Sequence, residues 1–251
     1  MVDVENSIET IAAHSQKADI VTSSDDYAKR FSGKTGRYFL DVQKNVTLGL
    51  LKKFTAPSIL DVGGGHAQLA EPMVNNGFNV TIAGSSEECR RRPDALIPKD
   101  SFNFVVADLL HLPFPDRYFD VTIAFRLLTH EENWQLQLGE LCRTAGKAVI
   151  LDYPDRQSFN SFYNLFFNLK KKLEGDTRTF RTFSKKQIKD EFRRNGFRFF
   201  FFKPQFFFPM FIHRMINHSG FSSLVEKMAR IFGLTRLFGS PVIIMACRVN
   251  E

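Results

Sequence analysis

Short apolar runs bounded by polar and glycine-rich turns recur along the chain. Ile59, Leu60 and Val62 form the first, and Asn79 to Ala83, Phe102 to Ala107, Phe119 to Phe125 and Ala148 to Leu151 follow. Runs this short, closed by turn residues, predict buried strands. Between them lie helical patterns. Ala67 to Val74 reads as a helix ended by Asn75-Asn76-Gly77, and Gly84 to Glu88 as a loop and helix start running into Arg90-Arg91-Arg92. His130 to Thr144 is amphipathic, with Trp134, Leu136, Leu138 and Leu141 as candidates for burial. Strands alternating with helices predict a parallel sheet with right-handed crossovers.

The flanks read differently. Met1 to Ser24 is polar and predicts a loose arm. Asp25 to Phe54 predicts one or two helices, with Phe39, Leu40, Val42, Val46, Leu48, Leu50 and Leu51 as the apolar face and Gly33 and Gly36 breaking the path before it. Tyr27, Arg30 and Phe31 share one side of the first helix, placed to cap a cleft or simply to pack. Ser158 to Leu173 predicts an aromatic helix. Ser184 is an N-cap for a helix reaching Asn195-Gly196. Phe197 to Phe202 and Pro241 to Cys247 predict the last two strands, and the apolar, basic stretch Pro204 to Phe238 between them is broken by Pro209 and glycines. No repeat or linker divides the chain, so one domain is expected over 1–251: cap helices in 1–57, a core in 58–154 and a lid region with the last strands in 155–251.

With 251 residues and 43% hydrophobic content, the chain can bury the core of one α/β domain. Cys89, Cys142 and Cys247 have no metal spacing and form no disulfide framework, so no metal and a reducing compartment are expected. The acidic start lacks the apolar core of a signal peptide, and no run reaches the roughly 18 apolar residues of a membrane span. A cytoplasmic protein is expected. The net charge of +7 resides in Lys170 to Arg198, where eleven Lys/Arg face four Asp/Glu. Such a block suits phosphate, an anionic membrane surface, an acidic substrate or a solvated helix face. It lacks the aromatic-basic signature of RNA binding, so nucleic acid is not the expected partner.

Ser58 to Ala70 carries the chemistry. A buried strand runs into Gly63, Gly64 and Gly65 and then into helix. Strand, glycine turn and helix form the ligand edge of doubly wound sheets. Glycine lets a ligand approach the main chain, and helix N–H groups then face an anion such as a carboxylate. A tight structural turn is the plain alternative, and the triplet's place after a buried strand and the pattern downstream favour the ligand.

Three blocks stand together: Ile59 to Gly65, Val106-Ala107-Asp108-Leu109-Leu110-His111-Leu112-Pro113-Phe114, and Phe119-Asp120-Val121. Over Ser58 to Pro154 the chain resembles the class I S-adenosylmethionine-dependent methyltransferases, especially their small-molecule branch. Phe180 to Ser184 and Asn195-Gly196-Phe197 resemble that family's sixth-strand region. The resemblance implies a Rossmann-like, doubly wound, mostly parallel seven-stranded sheet with helices on both faces and a helical, aromatic lid insertion. It implies S-adenosylmethionine as cofactor, with Gly63, Gly64 and Gly65 at its amino-acid end and Asp61 supporting that loop. Asp108 would accept from the adenine amino group, the Leu109 N–H would lie near a ring nitrogen, and Arg126 would stand at the cleft floor.

One departure is plain. The family's acidic residue at the end of the second strand, which holds the ribose, is replaced by Gly84 and Ser85. The Ser85 hydroxyl, or Glu87 or Glu88 reaching back, would have to serve. The same departure, with Arg90-Arg91-Arg92 following, opens an NADP oxidoreductase reading, although Gln68 stands where a dinucleotide motif has its third glycine. A non-catalytic cofactor-binding protein and an RNA methyltransferase also remain open.

Methyl transfer from a sulfonium is mostly positioning, and a base is needed only where the acceptor loses a proton. His130 and Tyr153 are the leading candidates, with His111 and Asp152 beside them, and His66 is expected to line the cofactor cleft. Phe199 to Phe202 and Phe206 to Ile212 carry more aromatic surface than one strand hides. They suggest a lid over an apolar or amphiphilic small molecule, a peripheral membrane contact, or ordinary core.

Overall fold

A computed structural model describes residues 18–158, 181–209, 212, 213, 215 and 218–249. Strands β1 (Ser58–Val62), β2 (Asn79–Gly84), β3 (Phe102–Val106), β4 (Phe119–Ala124), β5 (Ala145–Tyr153), β6 (Phe197–Phe206) and β7 (Ser240–Arg248) form one sheet. Their order is β3-β2-β1-β4-β5-β7-β6, and only β7 runs against the others. The chain winds outward from β1 to β3 and then returns to place β4 beside β1. The strand order therefore reverses between β1 and β4, and a crevice opens at their carboxyl ends.

Burial on both faces explains the apolar runs in the sequence. Leu60, Val62, Val149, Leu151 and Ile244 point into one core, while Ile59, Val121, Ile123, Ile150 and Met245 point into the other. Helices α1 (Asp25–Lys29) and α2 (Gly33–Leu51) precede the sheet, and α3 (Ala70–Asn75), α4 (Arg91–Leu96) and α5 (Trp134–Thr144) connect its parallel strands. Helix α6 (Lys185–Arg194) leads into β6, and α7 (Ser219–Ile231) and α8 (Leu234–Phe238) join β6 to β7. The Ser184 cap is present as a full capping box with Gln187.

Several boundaries differ from expectation for local reasons. Helix α3 begins at Ala70, because Gly64–His66 is a 3-10 turn and Ala67 has φ 61°. Helix α5 begins at Trp134, and its buried stripe takes Gln137 while leaving Leu136 exposed. Gly36 breaks nothing: it lies inside α2, where a Cβ would run into the Phe31 backbone. Residues 18–24 are not loose, since Asp19, Thr22 and Ser23 are buried against the glycine turn and the tip of β2. Residues 1–17, the aromatic stretch 159–173, the 170–180 part of the basic block, and Met210 and Phe211 of the expected lid lie outside the described residues.

Candidate active site

The glycine turn is built mainly by the chain itself. Gly63 takes φ 72°, which a side chain would strain, and its N–H donates to the Ala83 carbonyl at 2.8 Å. A Cβ on Gly64 would meet the Asp61 carboxylate, and one on Gly65 would meet Ser23 and Cys89. Two of the three glycines thus let the chain's own atoms approach.

Asp61 and His66 are buried at this turn and line a narrow cleft with Thr22, Gly63, Gln68 and Arg126. Burial alone pushes the Asp61 carboxyl up to about 7. Burial, aided by the Arg126 and Arg92 charges, takes His66 down to about 3, so its ring is neutral. Tyr27 and Phe31 meet that ring edge-on at 5.8 and 5.9 Å. Both His66 ring nitrogens, Gln68 Oε1 and Arg126 Nη1 are buried without a hydrogen-bond partner. Buried orphans of both signs around one cleft call for a polar ligand. A zwitterionic amino-acid end fits, its ammonium toward Asp61 and Gln68 Oε1 and its carboxylate toward Arg126 and His66. The cleft measures only about 20 Å³, room for little more than a water.

The tip of β2, which has no acid of its own, is bound by another part of the chain. Glu87 and Glu88 are exposed and do not reach back. Asp19 arrives instead from the amino-terminal segment. It accepts from the Ser85 N–H at 2.7 Å, from the Ser85 hydroxyl at 2.5 Å and from Cys89 Sγ at 3.3 Å. Burial raises its pKa despite those bonds. The neighbouring arginines are spoken for: Arg90 pairs with Asp94, and Arg91 and Arg92 pair with Asp25. That removes the support for a 2′-phosphate pocket.

Asp108, just beyond β3, accepts from the Leu110 N–H at 2.9 Å and meets His111 Nδ1 at 2.8 Å. It caps a turn, yet its carboxylate stays partly exposed at the sheet's carboxyl edge. The Leu109 side chain is core, and His111 is exposed.

Beside the cleft lies a larger cavity of about 200 Å³. Tyr27, Phe31, Phe39 and Phe206 form its aromatic walls, and Gln43, Arg126, His130 and Asp152 supply its polar groups. Arg126 belongs to both spaces. It has φ 59°, an unusual backbone for a bulky residue. Its N–H donates to Asp152 Oδ1 at 2.6 Å, and its Nη2 donates to Gln43 Oε1 at 2.8 Å. The guanidinium lies 4.0 Å from the Phe31 ring centroid. Burial raises the Asp152 pKa, which the Arg126 N–H and charge partly offset.

Of the two leading base candidates, the structure brings only His130 to this cavity. Tyr153 lies elsewhere: strand alternation turns it to the opposite face from Asp152, into the core, edge-on to Phe183. Gln43 and Asp19 were missed. Gln43 left a trace in the sequence, a polar residue in register with Phe39 on an apolar helix face. Asp19 left none.

The strand order and the switch-point crevice form a Rossmann-like, doubly wound sheet, a fold shared with methyltransferases of known structure. Residues 60–149 match the family described as methyltransferase domain. The ubiquinone/menaquinone biosynthesis C-methyltransferase UbiE of Pseudomonas fluorescens (strain SBW25) is 34% identical over 137 residues, 49% of this chain and 53% of that protein. The demethylmenaquinone methyltransferase of Thermus thermophilus is 34% identical over 126 residues, 48% of this chain and 49% of that one. The chain thus spans about half the length of the curated relatives it matches. Magnesium protoporphyrin IX methyltransferase from Synechocystis PCC 6803, solved with bound SAH, shares the fold at TM-score 0.64 and 15% identity, over 93% of this chain and 98% of that one.

Proposed function

We propose that this chain is an enzyme that transfers a methyl group from S-adenosylmethionine to an apolar or amphiphilic ring-bearing small molecule, with quinone-type compounds as the first class to try. The observation that carries the reading is Arg126, which joins a polar, orphan-rich cleft to an aromatic cavity. The names of the quinone-pathway relatives support the acceptor class. The sulfonium supplies a methyl group already activated for displacement.

The chain's own residues bind, orient and dry the site. Asp61, Gly63, Gly64 and Gly65 receive the amino-acid end, together with His66, Gln68 and Arg126. Gly84, Ser85, Asp108 and the Leu109 N–H form the nucleoside edge. Tyr27, Phe31, Phe39 and Phe206 hold the acceptor ring and exclude water. Methylation at a ring carbon or hydroxyl releases one proton, and His130 on the cavity wall takes it. Asp152 fixes Arg126. An acceptor of this kind is met at a membrane that the chain touches from the cytoplasmic side; among the described residues no helix is long and apolar enough to cross one.

Calorimetric titration with S-adenosylmethionine, S-adenosylhomocysteine and NADPH tests the cofactor, and mass spectrometry of a demethylated quinol incubated with enzyme and methyl donor tests the reaction. Binding of the first two and gain of one methyl group are expected. Binding of NADPH alone, or cofactor binding with no methylation across a panel of quinols and phenols, would overturn the reading.

A further inference from the structure

Helix α7 is turned inside out. Toward the body of the protein it sets Ser222, Glu226 and Ala229, all buried. Toward solvent it sets Phe221, Leu224, Met228, Ile231 and Phe232, with Ile231 66% and Phe232 70% exposed. Their spacing of three and four residues makes one stripe along the helix. Leu237 and Phe238 of α8 extend the exposed apolar surface. Single exposed apolar side chains need no explanation, but a contiguous group of seven marks a contact surface.

The charges on this surface have one sign. Lys227 and Arg236 are exposed, Arg230 reaches back to donate to the Gln205 carbonyl at 3.1 Å, and Glu226, the acidic residue of α7, is fully buried. The Glu226 carboxylate accepts from the Phe207 and Phe208 N–H groups at 2.9 and 3.0 Å and meets His213 Nε2 at 2.9 Å. The acid is spent holding the helix in place, which leaves an apolar stripe flanked by cations.

That attachment also fixes where the surface lies. His213 packs against Phe39 and Phe206, with ring centroids 5.4 and 6.3 Å apart, and both of those rings wall the acceptor cavity. The stripe therefore lies on the outer side of a helix anchored, through His213, behind two rings of the cavity wall.

We propose that the outer face of α7 and α8 lies in the plane of an anionic lipid surface, apolar side chains in the acyl boundary and Lys227 and Arg236 among the headgroups. Large apolar residues opposed to basic ones on an in-plane helix are the chemistry of such binding. The docking stands on the helix alone. Its purpose, delivery of an apolar acceptor from the bilayer to the adjacent cavity, rests on the methyltransferase reading.

The test is co-sedimentation of the full chain with vesicles of phosphatidylcholine and phosphatidylglycerol, against phosphatidylcholine alone, at two salt concentrations. The wild type is expected to bind the anionic vesicles, less so at high salt. The triple variant Leu224→Ser, Ile231→Ser, Phe232→Ser is expected to weaken that binding about tenfold or more. The pair Lys227→Glu, Arg236→Glu is expected to abolish the preference for anionic lipid. Both variants alter outward side chains and keep the wild-type melting temperature and cofactor affinity. No binding of the wild type to anionic vesicles, or equal binding by the triple variant, overturns the proposal. So does a wild-type dimer that the triple variant dissolves into monomers without any vesicle binding, which would make the stripe a contact between copies. Vesicle binding by a chain that takes no S-adenosylmethionine would sink the enzyme reading and leave the docking standing.

Discussion

Asp61 shows how a single residue ties stability to binding. Its carboxyl is raised to about 7 by burial, against an ordinary value of 3.8. The folded protein therefore holds a proton there that the unfolded chain has released. The stability associated with that proton is full below about pH 4 and is lost as pH rises through about 7. Asp61→Asn removes the dependence and is expected to be more stable than wild type at pH 8 by on the order of a few kcal/mol. The variant should also lose S-adenosylmethionine binding, since the carboxylate is the proposed partner of the ammonium group. Thermal melts from pH 5 to pH 8 check the first expectation, and calorimetry the second. Parallel pH profiles for the two proteins would show that Asp61 titrates as an ordinary surface acid. Binding by wild type at pH 6 should release a proton, visible as heats that vary with the ionisation enthalpy of the buffer.

At the scale of elements, the corner between α1 and α2 decides whether the amino-terminal segment can seat. Gly36 lets α2 pass against the Phe31 backbone, and Phe31 in turn covers His66 and Arg126. Gly36→Ala puts a methyl group into that backbone and is expected to cost about 1–3 kcal/mol, the usual range for overpacking, read as a lower melting temperature. A neutral or stabilising effect, as helix propensity alone would give, would show that the corner yields freely. This corner also marks what sequence can and cannot convey. The seven strands were legible because each is an apolar run with its own turn residues, and the glycine turn because three glycines follow a buried strand. The role of Gly36 was not legible, because the atom it makes room for belongs to a neighbouring element. Gln43 and Asp152 meet only through Arg126, across 83 and 26 residues of chain. Asp19 reaches Ser85 across 66 residues, and nothing near either residue announces the pair. Periodicity reports which face is buried; it does not report what is buried against it.

At the scale of the whole molecule, the cleft and the cavity sit at the switch point of the sheet, and residues 18–31 lie over both. The segment is held from two sides: Asp19 on Ser85, and Asp25 on Arg91 and Arg92. The exposed Asp25 pairs are screened by solvent and contribute little. The Asp19 contacts are buried from solvent and form the stronger tie. The cleft that this segment borders through Thr22 measures only about 20 Å³. If the segment opens before the cofactor binds, the observed association rate levels off with rising S-adenosylmethionine concentration at the rate of opening. Asp19→Ala loosens the closed state, so its plateau rate should rise roughly fivefold or more, the factor that about 1 kcal/mol supplies. Loss of the closed state should also raise apparent affinity, because a smaller share of the protein has to open first. Stopped-flow fluorescence of Trp134, the chain's one tryptophan, or of a fluorescent cofactor analogue measures the rates. A rate that climbs linearly to the diffusion limit in both proteins would mean that residues 18–31 do not gate the site. A weaker affinity in Asp19→Ala would instead place its carboxylate among the groups that hold the cofactor, at the end of β2 where the chain has no acid of its own.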